Sequence, residues 1–294
     1  MHDAPDTPCD EASLCVLASS SKGNCSALVL GRDESRRLIL IDAGLSPRRT
    51  KDLLAQQGSD LPVSSILFTP LDHDHFHPGW PAALPESAHI HIHKRHRSRA
   101  QRAGLLHTPT RVFEHDFTLG PGVHVRPLLM SHDTLGAAAF RIDFAHSGRS
   151  LGYATDLGRA TQRLTDHLQG GDVLAIESNY CPTLQAYSGR PEFLRRRITN
   201  GSGHLSNEQA AQAVRDIQPR EHVVLLHLSL DCNRPELAAM HHSQHPCKVT
   251  IASWEKPTDW LPLTWPAAAR AANPAATTIT TRQPTLFEAL TGNP

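Results

Sequence analysis

The apolar run Ile66-Leu67-Phe68-Thr69 leads directly into Pro70-Leu71-Asp72-His73-Asp74-His75. Such a run reads as a buried strand. A strand that ends by presenting carboxylate and imidazole side by side is a rigid grip for a metal ion, with oxygen and nitrogen ligands on one loop. Isolated ligand-type residues recur where other apolar runs end: His132 in Met130-Ser131-His132-Asp133, Asp156 after Tyr153-Ala154-Thr155, and His227 after Val223-Val224-Leu225-Leu226. In a sandwich the strand ends share one rim, so ligands far apart in sequence can meet there.

The rest of the chain supplies such strands. Leu14–Leu17 and Ser26–Leu30 flank a turn at residues 19–24, and Leu38–Ile41 ends at Asp42-Ala43-Gly44. Further strands are expected at Ser64–Thr69, His89–His93, Val123–Leu129, Ala138–Phe144, Leu151–Thr155, Val173–Ser178, His222–His227 and Lys248–Ala252. Helices are expected at Ser46–Gln57, Lys94–Leu106, Ser206–Ile217 and Arg234–Met240, the third opened by Ser206 and Gln209 at capping-box spacing. Many short strands with interspersed helices make an α/β chain of two packed sheets covered by helices.

Composition narrows the function classes. Lys plus Arg equals Asp plus Glu at 29 each, so a polyanion has to be held by local patches rather than by net charge. No segment approaches the roughly 18 apolar residues of a membrane span, and the first residues have no signal-peptide pattern. Six cysteines without a CxxC pair read as reduced thiols of a cytoplasmic protein. After Trp265 the chain turns rich in Ala, Thr and Pro, which sets a domain at 1–265 and a flexible tail at 266–294.

The motifs taken together resemble the metallo-β-lactamase superfamily, and within it the YycJ/WalJ-like exonuclease branch. Thr69 followed by PLDHDH is similar to the family's T-HxHxDH signature, with His132, Asp156 and His227 in family order. Leu17-Ala18-Ser19-Ser20-Ser21-Lys22-Gly23-Asn24-Cys25, Ile41–Ser46, Ala154–Gly158, Glu177-Ser178-Asn179, Gly203–Asn207, Asn233–Glu236 and the Ala252–Trp260 segment also match, so the likeness covers about residues 14 to 263. It implies a four-layer αββα sandwich with two metal positions. One keeps Asp74, His75, His227 and the bridging Asp156; the other keeps Asp72, His132 and Asp156, because Pro70 stands where the family has its first histidine and Asp72 where it has its second. One firmly held divalent ion and a weak or absent second one follow, with Mn²⁺ or Fe²⁺ suiting the Asp72 set better than Zn²⁺. His73 and His77 are the nearby imidazoles that could replace the lost one.

Several segments have two readings. His89, His91 and His93 alternate with Ile90 and Ile92, more simply a polar outer strand face than a metal site. His204 either caps the helix that follows or protonates a leaving group at the active site. The basic stretch Lys94–Arg102 and the run Arg195, Arg196, Arg197 are either solvated faces or a phosphate-tracking groove, and the groove is favoured for the latter run. Gln283-Pro284-Thr285-Leu286-Phe287 resembles the sliding-clamp-binding pentapeptide, with Gln283, Leu286 and Phe287 as anchors. The expected function is a metal-dependent 5′-to-3′ DNA exonuclease in repair, with Asp74 and His204 as catalytic residues. The alternatives are a hydrolase of RNA or a small ester, and a catalytically silent scaffold binding DNA and clamp.

Overall fold

The computed structural model describes residues 11–264; the tail, with Gln283, Leu286 and Phe287, lies outside the described residues. Fourteen strands form two seven-stranded sheets. The first sheet takes β1 (Ala12–Ser20), β2 (Gly23–Leu30), β3 (Arg37–Ile41), β4 (Val63–Leu67), β5 (His89–His93) and β6 (Thr110–Phe113). The second takes β7 (Phe117–Gly120), β8 (Val123–Met130), β9 (Ala137–Phe144), β10 (Arg149–Ala154), β11 (Val173–Glu177), β12 (His222–Leu226) and β13 (Lys248–Ile251). Each runs in chain order, and β14 (Leu261–Pro262) returns to pair with β1 on the first sheet.

Period-two alternation makes these strands two-faced. Ile39 and Ile41 of β3 join Val224 and Leu226 of β12 in the core between the sheets. Leu38 and Leu40 face outward, onto α1 (Pro47–Gln56), α2 (Trp80–Ala83) and α3 (Arg97–Arg102), through Leu53, Leu54, Trp80 and Ala100. Val223 and Leu225 face the other way, onto α4 (Gln162–Leu168), through Leu164 and Leu168. The excursion α5 (Pro182–Ala186) and α6 (Glu192–Thr199) precedes α7 (Asn207–Ile217) and α8 (Pro235–Met240), which complete that outer layer through Val214, Ile217 and Ala238. Three apolar interfaces between four layers are the αββα sandwich that the resemblance implies.

Topology sets up the site. Strands β3 to β6 are parallel, as are β10 to β13. Their carboxyl ends therefore share a rim, where open α/β sheets place ligands.

Two expectations change. The helix expected over Lys94–Leu106 is broken into a 3-10 turn at Lys94–His96, α3, and a second 3-10 turn at Leu105–His107. Gly104, at φ +74°, ends the regular part by entering the left-handed region that glycine tolerates. The histidine face of β5 is not a polar outer face. His91 is 2% exposed and stacks on Phe117 at 5.3 Å, and His93 packs edge-on against Phe113. Ile90 and Ile92 belong to the opposite, helix-covered face, so the imidazoles close the end of the inter-sheet core.

Burial has a consequence for His91. Desolvation first, then the charges of Arg111 and His89, lowers its pKa to about 4, whereas an unfolded histidine titrates near 6.5. The folded state favours neutral His91, so its contribution is complete above the unfolded pKa and is lost as pH falls from about 6.5 to about 4. The full loss is up to about 3 kcal/mol at 1.36 kcal/mol per pKa unit. His91→Phe keeps a ring against Phe117 and is expected to flatten that part of the pH dependence. Urea unfolding of both proteins at pH 7 and 4.5 is the check, and an equal loss of stability in both counts against it.

Candidate metal centre

Six side chains converge at the rim. Asp72, Asp74 and His75 lie on the loop after β4, His132 follows β8, Asp156 follows β10 and His227 follows β12. The β4 loop is locked from outside: Asn24 N donates to Asp74 O at 2.7 Å and Ala43 N to His75 O at 2.8 Å. Gly44 is required beside it, because a Cβ there would lie 2.0 Å from Asp74 O. Asp42, Asp156 and His227 each turn sharply out of a strand end with positive φ (+62°, +54° and +58°). That conformation costs of order 1–3 kcal/mol per non-glycine residue and persists only where packing over-determines it.

The donors fall into two groups that share Asp156. In the first, His227 Nε2 stands 3.0 Å from Asp74 Oδ2, and His75 Nε2 stands 3.7 Å from Asp74 Oδ2 and 2.5 Å from Asp156 Oδ2. In the second, His132 Nε2 lies 3.9 Å from Asp72 Oδ2 and 3.7 Å from Asp156 Oδ1. Except for partly exposed Asp72, all six are buried.

The imidazoles are oriented for ligation. His75 Nδ1 pairs with Asp42 Oδ2 at 2.8 Å, and His227 Nδ1 with Glu177 Oε2 at 3.0 Å. His132 Nδ1 donates to Gly203 O at 3.1 Å. Each Nδ1 is thus engaged, which leaves Nε2 as the lone-pair nitrogen facing the pocket. Asp156 Oδ2 is buried and accepts no hydrogen bond despite the close approach of His75 Nε2. A buried carboxylate oxygen without an aligned hydrogen bond, beside imidazole nitrogens, fits a cation; His75 Nε2 and Asp156 Oδ2 would part to about 3 Å to share it, and the first group of two imidazoles and two carboxylates suits a divalent metal.

The electrostatics agree. Burial alone would raise the carboxylates, but His75 and the hydrogen bond from His227 outweigh it and hold Asp74 at about 2. Asp156 is likewise held well below the carboxylate range by His75, His227 and His132 against its burial. Burial disfavours a charged His227, yet Asp156, Asp74 and Glu177 raise it to about 10. The pocket stabilises positive charge among its carboxylates, the charge a metal brings when it displaces those protons.

His204 sits at the mouth, partly exposed, with Nδ1 2.9 Å from Glu177 Oε2. It is not the cap of α7: Ser206 and Gln209 form that capping box. Of the arginine run, only Arg197 lines the pocket, where it pairs with Asp133 at 2.5 Å. Arg195 donates to Ala186 O and Arg196 pairs with Glu192, away from the pocket. Arg99 and Arg190 line the pocket as well. His73 lines its edge with an exposed ring, while His77 accepts from Gly79 N and lies outside the lining.

Asp42 and Glu177, hydrogen-bonded to His75 and His227, are candidate positioning residues that reading for ligands passes over. Their signal is a carboxylate closing or following a fully apolar strand, Leu38–Ile41 and Val173–Ile176, where an unpaired charge is not tolerated.

Residues 37–228 match the Beta-lactamase superfamily domain. The chain is 32% identical over 238 residues to exodeoxyribonuclease YycJ of Bacillus anthracis, covering 78% of this chain and 87% of the relative. It is 28% identical to exodeoxyribonuclease WalJ of Streptococcus pneumoniae, covering 76% and 84%. The crystal structure of the metallo-β-lactamase fold protein YhfI from Bacillus subtilis superposes with a TM-score of 0.63 at 16% identity, over 85% of this chain and 99% of that one. With its two sheets, its shared Asp156 and the match over residues 37–228, the chain belongs to the β-lactamase superfamily, in the group that includes YycJ.

Proposed function

We propose that this protein is a metal-dependent phosphodiesterase that acts on DNA as a 5′-to-3′ exonuclease with a repair role in the cytoplasm. The observation that carries the reading is that Asp74, Asp156 and His227, with buried His75 packed against Asp156, meet at a cleft whose walls also present Arg99, Arg190 and Arg197. The cleft, about 610 Å³, is the size of a small-ligand site and admits one or two nucleotide units at a time. Carboxylate and imidazole ligands below arginines suit a phosphodiester better than a neutral ester.

Asp74, His75, Asp156 and His227 would hold a divalent cation, which would supply Lewis-acid charge for the phosphoryl group and acidify a water. The protein's own groups do the rest. Asp74 orients the attacking water, and the arginines hold the phosphate oxygens. His204, with Nδ1 tied to Glu177, keeps Nε2 free to protonate the leaving oxygen.

The four-residue set is expected to retain one ion per chain after extensive dialysis. End-labelled DNA and RNA incubated with protein loaded with Mn²⁺, Zn²⁺, Mg²⁺ or Fe²⁺ test the reading. Stepwise loss of nucleotides from the DNA supports it; cleavage of RNA alone would move the substrate, and two retained ions would refute the single-ion assignment. Metal-loaded protein inert on every nucleic acid would favour the silent scaffold, for which Pro70 speaks.

The tail is proposed to tether the enzyme to the sliding clamp through Gln283, Leu286 and Phe287. Burying the two apolar anchors contributes about 1.5–3 kcal/mol each before ordering costs. Leu286→Ala/Phe287→Ala is expected to abolish recovery of purified clamp in a pull-down while leaving cleavage of free oligonucleotides intact. Equal recovery by both proteins would make the peptide a coincidence.

A further inference from the structure

Where Pro70 removes an imidazole, the protein has placed a cation of its own. Arg99 Nη1 donates to Asp72 Oδ1 in a tight ion pair, and Arg99 lines the same cleft as His132, Asp156 and His204. Its helix is fixed there: His96, 2% exposed and one turn earlier, binds Gly136 O through Nε2 at 2.9 Å. A guanidinium has five donors and does not deprotonate. One is spent on Asp72, and the side chain is still 40% exposed toward the cleft mouth.

Charge makes the same point. Five carboxylates line the cleft; Asp133 pairs with Arg197 and Asp231 with Arg190, which leaves Asp72, Asp74 and Asp156. Arg99 already neutralises Asp72, so a second ion there has only His132 and the shared Asp156 left to hold it. A second ion would also have to take an Asp72 oxygen with Arg99 already bound to that carboxylate, and Coulomb repulsion between the two cations opposes this.

We infer that Arg99 replaces the second metal ion: it holds Asp72, keeps a second ion out and presents its remaining N–H groups to the phosphate. The metal-exclusion part rests on the geometry alone; the phosphate-binding part rests on the nuclease reading above.

The test is manganese uptake by the full-length protein, measured by calorimetry and by metal analysis, together with steady-state cleavage of end-labelled DNA. Wild type is expected to take up one ion. Arg99→Met, which keeps the aliphatic length, is expected to take up a second through Asp72, His132 and Asp156. Its kcat at one equivalent of Mn²⁺ should fall about 100-fold, the size of losing one charged donor, and recover in part with excess Mn²⁺. Arg99→Lys keeps the charge and is expected to keep the one-ion stoichiometry. Thermal melting checks that each variant is folded, and Arg99→Gln serves if the Met variant is not.

Equal uptake by wild type and Arg99→Met overturns the inference whatever the rates, as does a second ion in Arg99→Lys. Wild type that cleaves no nucleic acid, with uptake still rising from one ion to two in Arg99→Met, overturns the nuclease reading and leaves the exclusion by Arg99 standing.

Discussion

Asp156→Ala is expected to reduce metal-dependent cleavage by at least about 10³-fold, the largest effect of any single substitution in the cleft. The reason is its position between the two donor groups. Oδ2 lies 2.5 Å from His75 Nε2, while Oδ1 lies 3.7 Å from His132 Nε2 and 3.5 Å from His204 Nδ1. Among the described residues no other carboxylate reaches both halves, so its loss removes a ligand and the link to His132 and His204 together. Asp74→Ala removes one ligand and is expected to act in the same direction. Because truncating a buried charge also strands its partners, at about 3–5 kcal/mol, Asp156→Asn is the cleaner variant: it keeps shape and volume while removing the charge. Metal analysis after dialysis should show that Asp156→Asn has lost its ion while circular dichroism shows an intact fold. Cleavage by the alanine variants equal to that of wild type would mean that the activity comes from a contaminant.

The candidate ligands are legible in the sequence because each is a polar residue that interrupts or ends an apolar run, and such a residue has few structural uses. The two-sheet core follows from the same runs: β3, β11 and β12 are apolar on both faces because both are covered, whereas the short β6, β7 and β14 carry too little apolar sequence to be seen. What escaped depends on tertiary placement. The imidazoles of β5 alternate with isoleucine, a pattern identical for an outer face and for a core edge closed by Phe113 and Phe117. Arg195, Arg196 and Arg197 are consecutive, and a helix sends consecutive residues in different directions about 100° apart, so only one of the three enters the cleft. Arg99 was one charge among several in Lys94–Arg102, and its significance appears only when Asp72 is found at its end. The carboxylates behind the imidazoles, Asp42 and Glu177, were visible as motif residues, but their role is a hydrogen bond across the fold that no spacing predicts.

Glu177 gives the sharpest test of how the imidazoles are aimed. Its Oε2 accepts from Asp156 N at 3.0 Å, His204 Nδ1 at 2.9 Å and His227 Nδ1 at 3.0 Å, and its Oε1 accepts from Leu205 N at 2.7 Å. Burial would raise its pKa, but the charge of His204 and these hydrogen bonds outweigh it and hold Glu177 at about 2. The carboxylate therefore fixes a proton of His227 on Nδ1, so that Nε2, 3.0 Å from Asp74 Oδ2, is the nitrogen that can give its lone pair to a metal once its own proton is displaced. Glu177→Gln keeps the volume and one carbonyl oxygen, which can still accept from a backbone N–H. Its amide nitrogen is a donor: placed at Oε2 it faces both imidazoles and Asp156 N–H and favours the tautomer with the proton on Nε2, which blocks ligation, and placed at Oε1 it strands Leu205 N–H. A wrong tautomer in an otherwise intact site abolishes function without unfolding the protein. Glu177→Gln is thus expected to weaken metal binding by about 100-fold, at the upper end for an orienting partner, and to lower cleavage at least as much, while melting within a few degrees of wild type. Glu177→Ala leaves several buried donors without an acceptor and is expected to be destabilised by about 3 kcal/mol or more as well. Calorimetric titration of Mn²⁺ into both variants, with nitrogen NMR of the His227 ring to locate its proton, decides the matter. Wild-type affinity in Glu177→Gln, with the proton still on Nδ1, would show that packing rather than Glu177 aims the imidazole.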